Sequence, residues 1–194
     1  LSSANSVNFG RILFQTIYHI YSYCALIRTG ELLEGEILDI IVPSGNFGNA
    51  LGGYYAKKMG LPLGKIVIAS NANNILTQFI NEGIYDLRSK ELIPTLSPAM
   101  DILISSNVER ILFDMSGAIR TKELMEELRI NKVFILTDEE KNTLQTIFEA
   151  NYCDDSTTLS IIKEFADKNY ILDPHTATGM KAYKERPHAK TLVY

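Results

Sequence analysis

The spacing of apolar residues changes along the chain, and each change marks a predicted element. Apolar side chains recur every three or four positions over residues 12–24, which predicts an amphipathic helix that ends at Gly30. Residues 36–44 and 65–70 are instead short apolar runs typical of buried strands. A helical pattern over 49–59 lies between them. The sequence therefore predicts a βαβ unit, which is right-handed and builds a parallel sheet.

Helical patterns dominate the second half of the chain. The polar, proline-containing residues 85–98 predict a long loop, whereas 129–137 and 190–194 have the composition of strands. Further helices are predicted over residues 73–82, 101–114, 118–129, 138–151 and 156–168.

Two helix starts carry specific sequence signals. Thr137 followed by Glu140 has the spacing of a capping box, in which each side chain bonds a main-chain N–H of the other. Asp173 is an expected N-cap, and Pro174 suits the first helical position because its fixed φ is already helical.

Size and composition agree with a globular α/β protein. The chain has 194 residues, of which 46% are hydrophobic and 22% charged, so disordered and fibrous classes are excluded. The elements predict an α/β fold with a doubly wound, largely parallel sheet and flanking helices. We interpret residues 1–194 as a single region that is mainly helical from about 100 to 170.

Charge and cysteine content narrow the functional classes. The net charge is −4 and no basic tract occurs, so a nucleic-acid surface has no electrostatic support. No apolar run reaches the roughly 18 residues of a membrane-spanning helix. Cys24 and Cys153 are far apart, which favours a reduced, cytoplasmic protein. The three histidines lack the spacing of a zinc site, and no metal is expected.

The loop after the first strand is the strongest chemical signal. The unpaired N–H groups and partial positive charge of a helix N-terminus suit a phosphate, and glycine allows the main chain to approach it closely. An ordinary tight turn is the alternative interpretation. The loop reads Gly45, Asn46, Phe47, Gly48 and Asn49.

Other phosphate-binding motifs fit this loop less well. A nucleotide P-loop requires Lys and Ser or Thr after its last glycine, but Asn49 follows Gly48 here. The dinucleotide fingerprint G-x-G-x-x-G does not match the spacing of Gly45 and Gly48.

Several motifs in the same order resemble one known family. The stretch PSGNFGNALGGYYAKKMGLP resembles the cofactor-phosphate loop of threonine synthase, a pyridoxal-phosphate enzyme of the tryptophan-synthase-β type, or fold type II. The resemblance extends to SSANSVNFGRILFQ, IASNANNILTQFINEGIY, LSPAMDILISSNVERILF and DPHTATG.

The resemblance implies roles for individual residues. It assigns the residues of the glycine loop, Gly45 to Asn49, to the phosphate of pyridoxal phosphate, and the hydroxyl of Thr176 to the pyridine nitrogen. From the sequence alone, a first-turn hydroxyl that bonds the main chain is the favoured interpretation of Thr176. Asn5, Ser6 and Arg11 match positions that hold the phosphate of the substrate, where the planar guanidinium suits paired oxygens. An N-terminal helix cap with a solvated arginine is the alternative.

The implied reaction converts O-phosphohomoserine and water into threonine and phosphate. No lysine here lies in a motif typical of a Schiff-base residue, so that lysine is expected upstream of Leu1. We expect this chain to lack the N-terminal part and the extreme C-terminus of the family, and to be inactive alone. A non-catalytic module for another phosphorylated metabolite, or another fold type II enzyme such as threonine dehydratase or cysteine synthase, is the alternative.

Overall fold

The computed structural model of the protein describes residues 8–186 and 190–194. None of the helices in these two ranges combines the length and apolar character needed to span a bilayer. The strands are β1 (Leu38–Pro43), β2 (Leu63–Ser70), β3 (Ile84–Asp86), β4 (Val133–Ile135), β5 (Phe148–Tyr152) and β6 (Thr191–Val193).

The helices follow the predicted periodicity through most of the chain. A single 3₁₀ turn at Pro98–Met100 precedes the fourth of them. The α-helices are α1 (Phe9–Thr29), α2 (Gly48–Lys58), α3 (Ile75–Glu82), α4 (Val108–Asn131), α5 (Asp138–Ile147), α6 (Asp155–Ala166) and α7 (Pro174–Lys184).

The main sheet is parallel, and its strand order is β5-β2-β1-β6. Ile40 pairs with Ile66 between the two central strands, which are joined by α2 as the βαβ pattern predicts. A second, antiparallel pair consists of β3 and β4. The two central strands are almost entirely buried, as expected for a parallel sheet covered on both faces.

Alternate side chains of β1 point into different cores. Ile40 and Val42 belong to the large core built with α1 to α5, whereas Ile41 packs with Val67 and with Ala182 of α7. Helices therefore cover both faces of the sheet, and the predicted α/β fold with a doubly wound, largely parallel sheet is confirmed.

The helix boundaries confirm the predicted end signals. Gly30 ends α1 with a φ of 80°, and its N–H bonds the carbonyls of the last turn. Thr137 and Glu140 form both bonds of the capping box of α5. The carboxylate of Asp173 accepts from two N–H groups at the start of α7, where Pro174 is the first helical residue.

The helix predicted over 101–114 is wrong in its first half, because α4 begins only at Val108. Tertiary hydrogen bonds hold the preceding segment in a non-helical path. The hydroxyl of Tyr85 donates to the Leu103 carbonyl at 2.7 Å and accepts from the Ser105 N–H at 2.8 Å. The predicted gap before residue 118 corresponds to a kink at Gly117, whose φ is 75° and ψ 176°.

The helix predicted over 138–151 is too long, since α5 ends at Ile147. The next residues form β5, which pairs in parallel with β2 at the edge of the sheet. Burial explains the change: Phe148 is fully buried, and its ring lies 5.2 Å from that of Phe47 and 5.9 Å from that of Tyr54. Tertiary packing overrides the local helical pattern here.

The loop predicted over 85–98 starts too early, because its first residues belong to β3. The predicted strand within 129–137 is confirmed as β4, which pairs with β3. The rings of Tyr85 and Phe134 stack across this pair with centroids 5.3 Å apart. The predicted C-terminal strand is confirmed as β6.

Replacing Gly52 by alanine is expected to destabilise the contact between α1 and α2. A Cβ at this position would lie 3.0 Å from the main-chain carbon of Gln15 and 3.0 Å from the nitrogen of Thr16, so a helix backbone would have to move. We expect the free energy of unfolding in urea to fall by about 1–3 kcal/mol.

Gly53→Ala is the matched control on the same helix. Its Cβ would meet the Cδ1 of Ile40 at 2.7 Å, and this is the end of a flexible side chain that can rotate. Both variants gain the same helix propensity, so the difference between their free energies of unfolding reports on the main-chain contact at Gly52. A Gly52→Ala protein as stable as Gly53→Ala would contradict the explanation.

Candidate functional site

The Gly-Asn loop lies at the carboxyl edge of the sheet, between β1 and α2. In open parallel sheets this edge is where ligands bind. Phe47 adopts a left-handed conformation with a φ of 62°, which is uncommon for a residue other than glycine. Its ring is fully buried against Phe148. Phe47 therefore anchors the loop in the core, and only its main chain is available to a ligand.

Asn49 connects the two ends of the loop. Its Nδ2 donates to the carbonyl of Pro43 at 2.6 Å, and its Oδ1 accepts from the hydroxyl of Ser44 at 2.8 Å. The same oxygen accepts from the N–H of Ala50 at 2.9 Å. The amide side chain thus holds the loop closed from within.

The segment before α4 supports the loop from outside. The Oδ1 of Asn46 accepts from the N–H and the hydroxyl of Ser106, at 2.7 and 2.8 Å. The carbonyl of Asn46 accepts from the Nδ2 of Asn107 at 2.9 Å, and the hydroxyl of Ser105 donates to the carbonyl of Gly45. The loop's oxygens are therefore turned toward protein donors.

The N–H groups of the loop differ from its oxygens, which accept hydrogen bonds from protein donors. The first N–H groups of a helix have no acceptor within that helix. Among the described residues, no main-chain oxygen accepts from the N–H of Gly45, Phe47 or Gly48. These donors lie at the positive end of α2, so the loop has the main-chain arrangement of an anion site.

A cavity of about 360 Å³ opens beside these groups. Gly45 forms part of its wall, and a Cβ there would lie 2.9 Å from the Cα of Met100. Glycine is therefore required where the two walls meet. The lining residues come from α1 (Arg11, Gln15), the loop (Pro43, Gly45, Asn46, Gly48, Asn49), the segment opposite (Ala99, Met100, Ile102) and α7 (His175).

A buried polar network fixes the wall opposite the loop. The Oδ1 of Asp101 accepts from the amides of Asn71 and Asn73, at 2.7 and 3.0 Å. It also accepts from the hydroxyl of Thr95 at 2.7 Å, while its Oδ2 accepts from the Thr95 N–H at 2.9 Å. Both asparagines are buried. The carboxylate thereby ties this wall to the end of β2.

The start of α7 brings His175 to the cavity, close to Asp173 and Thr176 in the sequence. Thr176 donates its hydroxyl to Asp173 at 2.6 Å, and the Nδ1 of His175 lies 3.1 Å from the same carboxylate. Burial disfavours the charged form of Asp173, but the hydrogen bonds from Thr176 and His175 outweigh it and lower the carboxyl pKa. His175 lines the cavity, and its Nε2 is buried without a partner among the described residues.

The predicted site residues are brought together only in part. Arg11 joins the loop residues around one cavity, in an exposed position. Thr176 lies next to the lining residue His175 without lining the cavity itself. Asn5 and Ser6 lie outside the described residues. The assigned roles therefore stay predictions.

His19 lies behind the loop, and its contact with Asn49 could not be predicted from the sequence. It is 3% exposed, and its Nε2 lies 2.9 Å from the carbonyl oxygen of Asn49. Burial lowers the pKa of this imidazole, although the bond to Asn49 opposes the shift. The helical spacing of Ile12, Thr16 and Tyr23, which are also buried, marks the inner face of α1.

The described residues that line the cavity include no lysine. Within residues 8–186 and 190–194, no three His, Cys, Asp or Glu side chains are grouped so that they would hold a metal ion.

Asp101→Ala is expected to release the wall formed by residues 95–102. The substitution leaves the buried amides of Asn71 and Asn73 without their charged acceptor, and hydrogen bonds to charged groups contribute more than neutral ones. We expect the free energy of unfolding to fall by about 2–4 kcal/mol in urea titrations. Asp155→Ala is the control, because its exposed carboxylate reaches the same segment only through bonds of 3.3 Å. Equal losses in both variants would contradict the role of Asp101.

His19 is expected to make stability depend on pH below neutrality. Since its pKa is lowered in the folded state, the unfolded chain binds more protons between that pKa and about 6.5. The contribution of the neutral ring is thus complete above about pH 6.5 and is lost as pH falls through this window. Urea titrations between pH 5 and 7.5 should show a shallower pH dependence for His19→Gln than for the unmodified chain. Parallel pH profiles of the two proteins would contradict this contribution of His19.

Similar proteins cover nearly the whole chain. Threonine synthase-like 1 of Homo sapiens is 43% identical over 195 residues, covering 98% of this chain and 26% of that protein. Threonine synthase of Saccharomyces cerevisiae is 38% identical over 198 residues, covering 94% of this chain and 38% of the enzyme. The chain thus spans between about a quarter and two fifths of the length of these relatives. No family model matches it.

Solved structures show the same arrangement of parallel sheet and flanking helices. The pyridoxal-phosphate-bound threonine synthase of Brucella melitensis superposes with a TM-score of 0.88 at 34% identity, over 98% of this chain and 40% of that one. Yeast threonine synthase gives a TM-score of 0.88 at 35% identity, over 97% and 41%. In sequence and in fold, this chain is similar to one part of the threonine synthases and of the threonine synthase-like 1 proteins.

Proposed function

We propose that this chain supplies the phosphate-binding side of a pyridoxal-phosphate site, in a threonine synthase that converts O-phosphohomoserine and water to threonine and phosphate. The observation that carries the proposal is the cavity beside the loop, where N–H groups without main-chain acceptors line one wall. The bound cofactor of the Brucella melitensis relative supports the same choice of ligand.

The residues present fit such a cofactor. The first turn of α2 directs partial positive charge toward an anion, and Gly45 and Gly48 expose main chain without side-chain obstruction. His175 adds a polar atom, its Nε2, that lacks a protein partner. The group itself supplies an electron sink for carbanion chemistry when bound.

The loop's task is to hold and orient a phosphate. The side chain of Asn49 and the donors of Ser106 and Asn107 already satisfy the loop's oxygens, so the N–H groups need no rearrangement before binding. A preorganised site of this kind avoids the entropy of ordering a loop.

Substrate recognition is proposed to use the rim of the same cavity. Arg11 is exposed there, and a guanidinium binds two phosphate oxygens at once. Asn5 and Ser6 are proposed to complete this phosphate site. We further propose that Thr176, beside Asp173 at the start of α7, faces the pyridine nitrogen. Its hydroxyl donates to Asp173 in this structure, and it would donate its single proton to the ring nitrogen instead when the cofactor is bound.

The chain alone is proposed to be inactive, because no lysine is among the described lining residues. The chain would be incubated with pyridoxal phosphate, reduced with borohydride and analysed by peptide mass spectrometry. We expect no stoichiometric lysine adduct and no threonine from O-phosphohomoserine. A single stoichiometric adduct together with turnover would refute this part of the proposal.

Ligand-induced stabilisation distinguishes a cofactor site from a general phosphate site. Pyridoxal phosphate is expected to raise the melting temperature more than an equal concentration of inorganic phosphate. A ligand concentration one hundred times the dissociation constant raises the free energy of unfolding by about 2.7 kcal/mol. Gly45→Ala should lose most of this increment, because its Cβ would displace the Met100 main chain.

Gly53→Ala is the control, since Gly53 lies on α2 without lining the cavity. For each variant, the melting temperature with ligand is compared with that of the same variant without ligand. A change in the stability of the ligand-free protein therefore does not affect the comparison. Equal stabilisation by phosphate and pyridoxal phosphate would instead favour a module for another phosphorylated metabolite. An undiminished increment in Gly45→Ala would place the ligand elsewhere.

A further inference from the structure

The ring of His19 occupies a position between α1 and the start of α2. It does not line the cavity, but its Nε2 lies 2.9 Å from the carbonyl oxygen of Asn49, the second residue of α2. It also packs edge-on against Tyr194, with ring centroids 4.9 Å apart. The imidazole thus joins the first helix and the C-terminal strand region to the glycine loop.

The acceptor determines the tautomer of this ring. A carbonyl oxygen only accepts, so Nε2 carries the proton and donates it. The Nδ1 atom is buried and has no hydrogen-bond partner among the described residues. A second proton there would place an unpaired charge in the core, which is costly. The neutral ring with its proton on Nε2 is therefore the form that the packing favours.

Asn49 is held from both sides as a result. Its side chain bonds Pro43 and Ser44 within the loop, and its carbonyl is bonded from α1 by His19. Rotation of the peptide after Asn49 would break the bond to His19 and disturb the turn that presents the N–H groups.

We infer that His19 is a positioning residue: its Nε2–H fixes the Asn49 peptide and so keeps the N–H groups of the loop directed at a bound phosphate. The inference rests on the proposed function, because it assumes that the loop binds a phosphate. It assigns to α1 an indirect role in binding, separate from that of Arg11 at the cavity rim.

Substitutions separate the donor from the shape of the side chain. His19→Leu removes the donor, whereas His19→Gln retains an N–H at a similar distance from the main chain. Tyr23→Phe is the matched control, because it removes another buried bond of α1, from the Tyr23 hydroxyl to the Glu36 carbonyl at 2.9 Å, away from the loop.

The 194-residue chain would be titrated with inorganic phosphate while the amide resonances of Gly45 and Gly48 are followed by ¹H–¹⁵N NMR. We expect the dissociation constant to rise about tenfold in His19→Leu, in line with the loss of one buried hydrogen bond to the Asn49 carbonyl, and to stay within about threefold in His19→Gln. Tyr23→Phe should bind as the unmodified chain does.

The outcomes separate the two proposals. If the unmodified chain shows no phosphate-dependent shift at Gly45 and Gly48, the proposed function fails, whatever His19 does. If it binds and His19→Leu binds equally well with the same shifts, the role of His19 is overturned. Should His19→Leu not fold, the exchange rate of the His19 Nε2 proton in the unmodified chain decides. If this proton exchanges with solvent more slowly after phosphate is added, the inference is supported. If the exchange rate is unchanged, the inference is overturned.

Discussion

Anion binding by the loop depends on one constraint: main-chain N–H groups at the start of α2 must point into a cavity while the nearby oxygens of the loop are turned away. Peptide groups carry a donor and an acceptor on opposite sides, so satisfying the acceptors from the protein directs the donors outward. Ser106 and Asn107 donate to the side-chain and main-chain oxygens of Asn46, and Ser105 donates to the carbonyl of Gly45. The buried ring of Phe47 prevents the turn from relaxing.

This arrangement explains why distant parts of the chain matter for a loop of a few residues. The wall opposite the loop depends on Asp101, which lies far in sequence from the asparagines that donate to it. The close contact of Gly45 with Met100 means that a shift of this wall would change the cavity directly. The main-chain arrangement proposed to hold a phosphate is thus built by tertiary hydrogen bonds as much as by local sequence.

Much of the fold could be predicted because it depends on local patterns. The apolar periods gave β1, α2 and β2, and the caps at Gly30, Thr137 and Asp173 are set by residues within one helical turn. The predictions failed where tertiary contacts override the local pattern. β5 replaces a predicted helix end because Phe148 packs on Phe47 in the core.

Only those parts of the candidate site that are formed by residues close together in the sequence could be predicted. The glycine loop has a recognisable pattern, and Arg11 lines the same cavity, while its role in holding the substrate phosphate is a prediction. The bond from His19 and the network of Asp101 join segments whose spacing carries no signal in a single sequence. Burial of His19 follows from helical spacing, but its partner does not.

A crystal structure of this chain with pyridoxal phosphate tests the central claim most directly. The account predicts that phosphate oxygens lie within hydrogen-bond distance, about 2.7–3.2 Å, of the main-chain nitrogens of Gly45 and Gly48. A phosphate bound at another place, or loop N–H groups already bonded to protein oxygens, would contradict it.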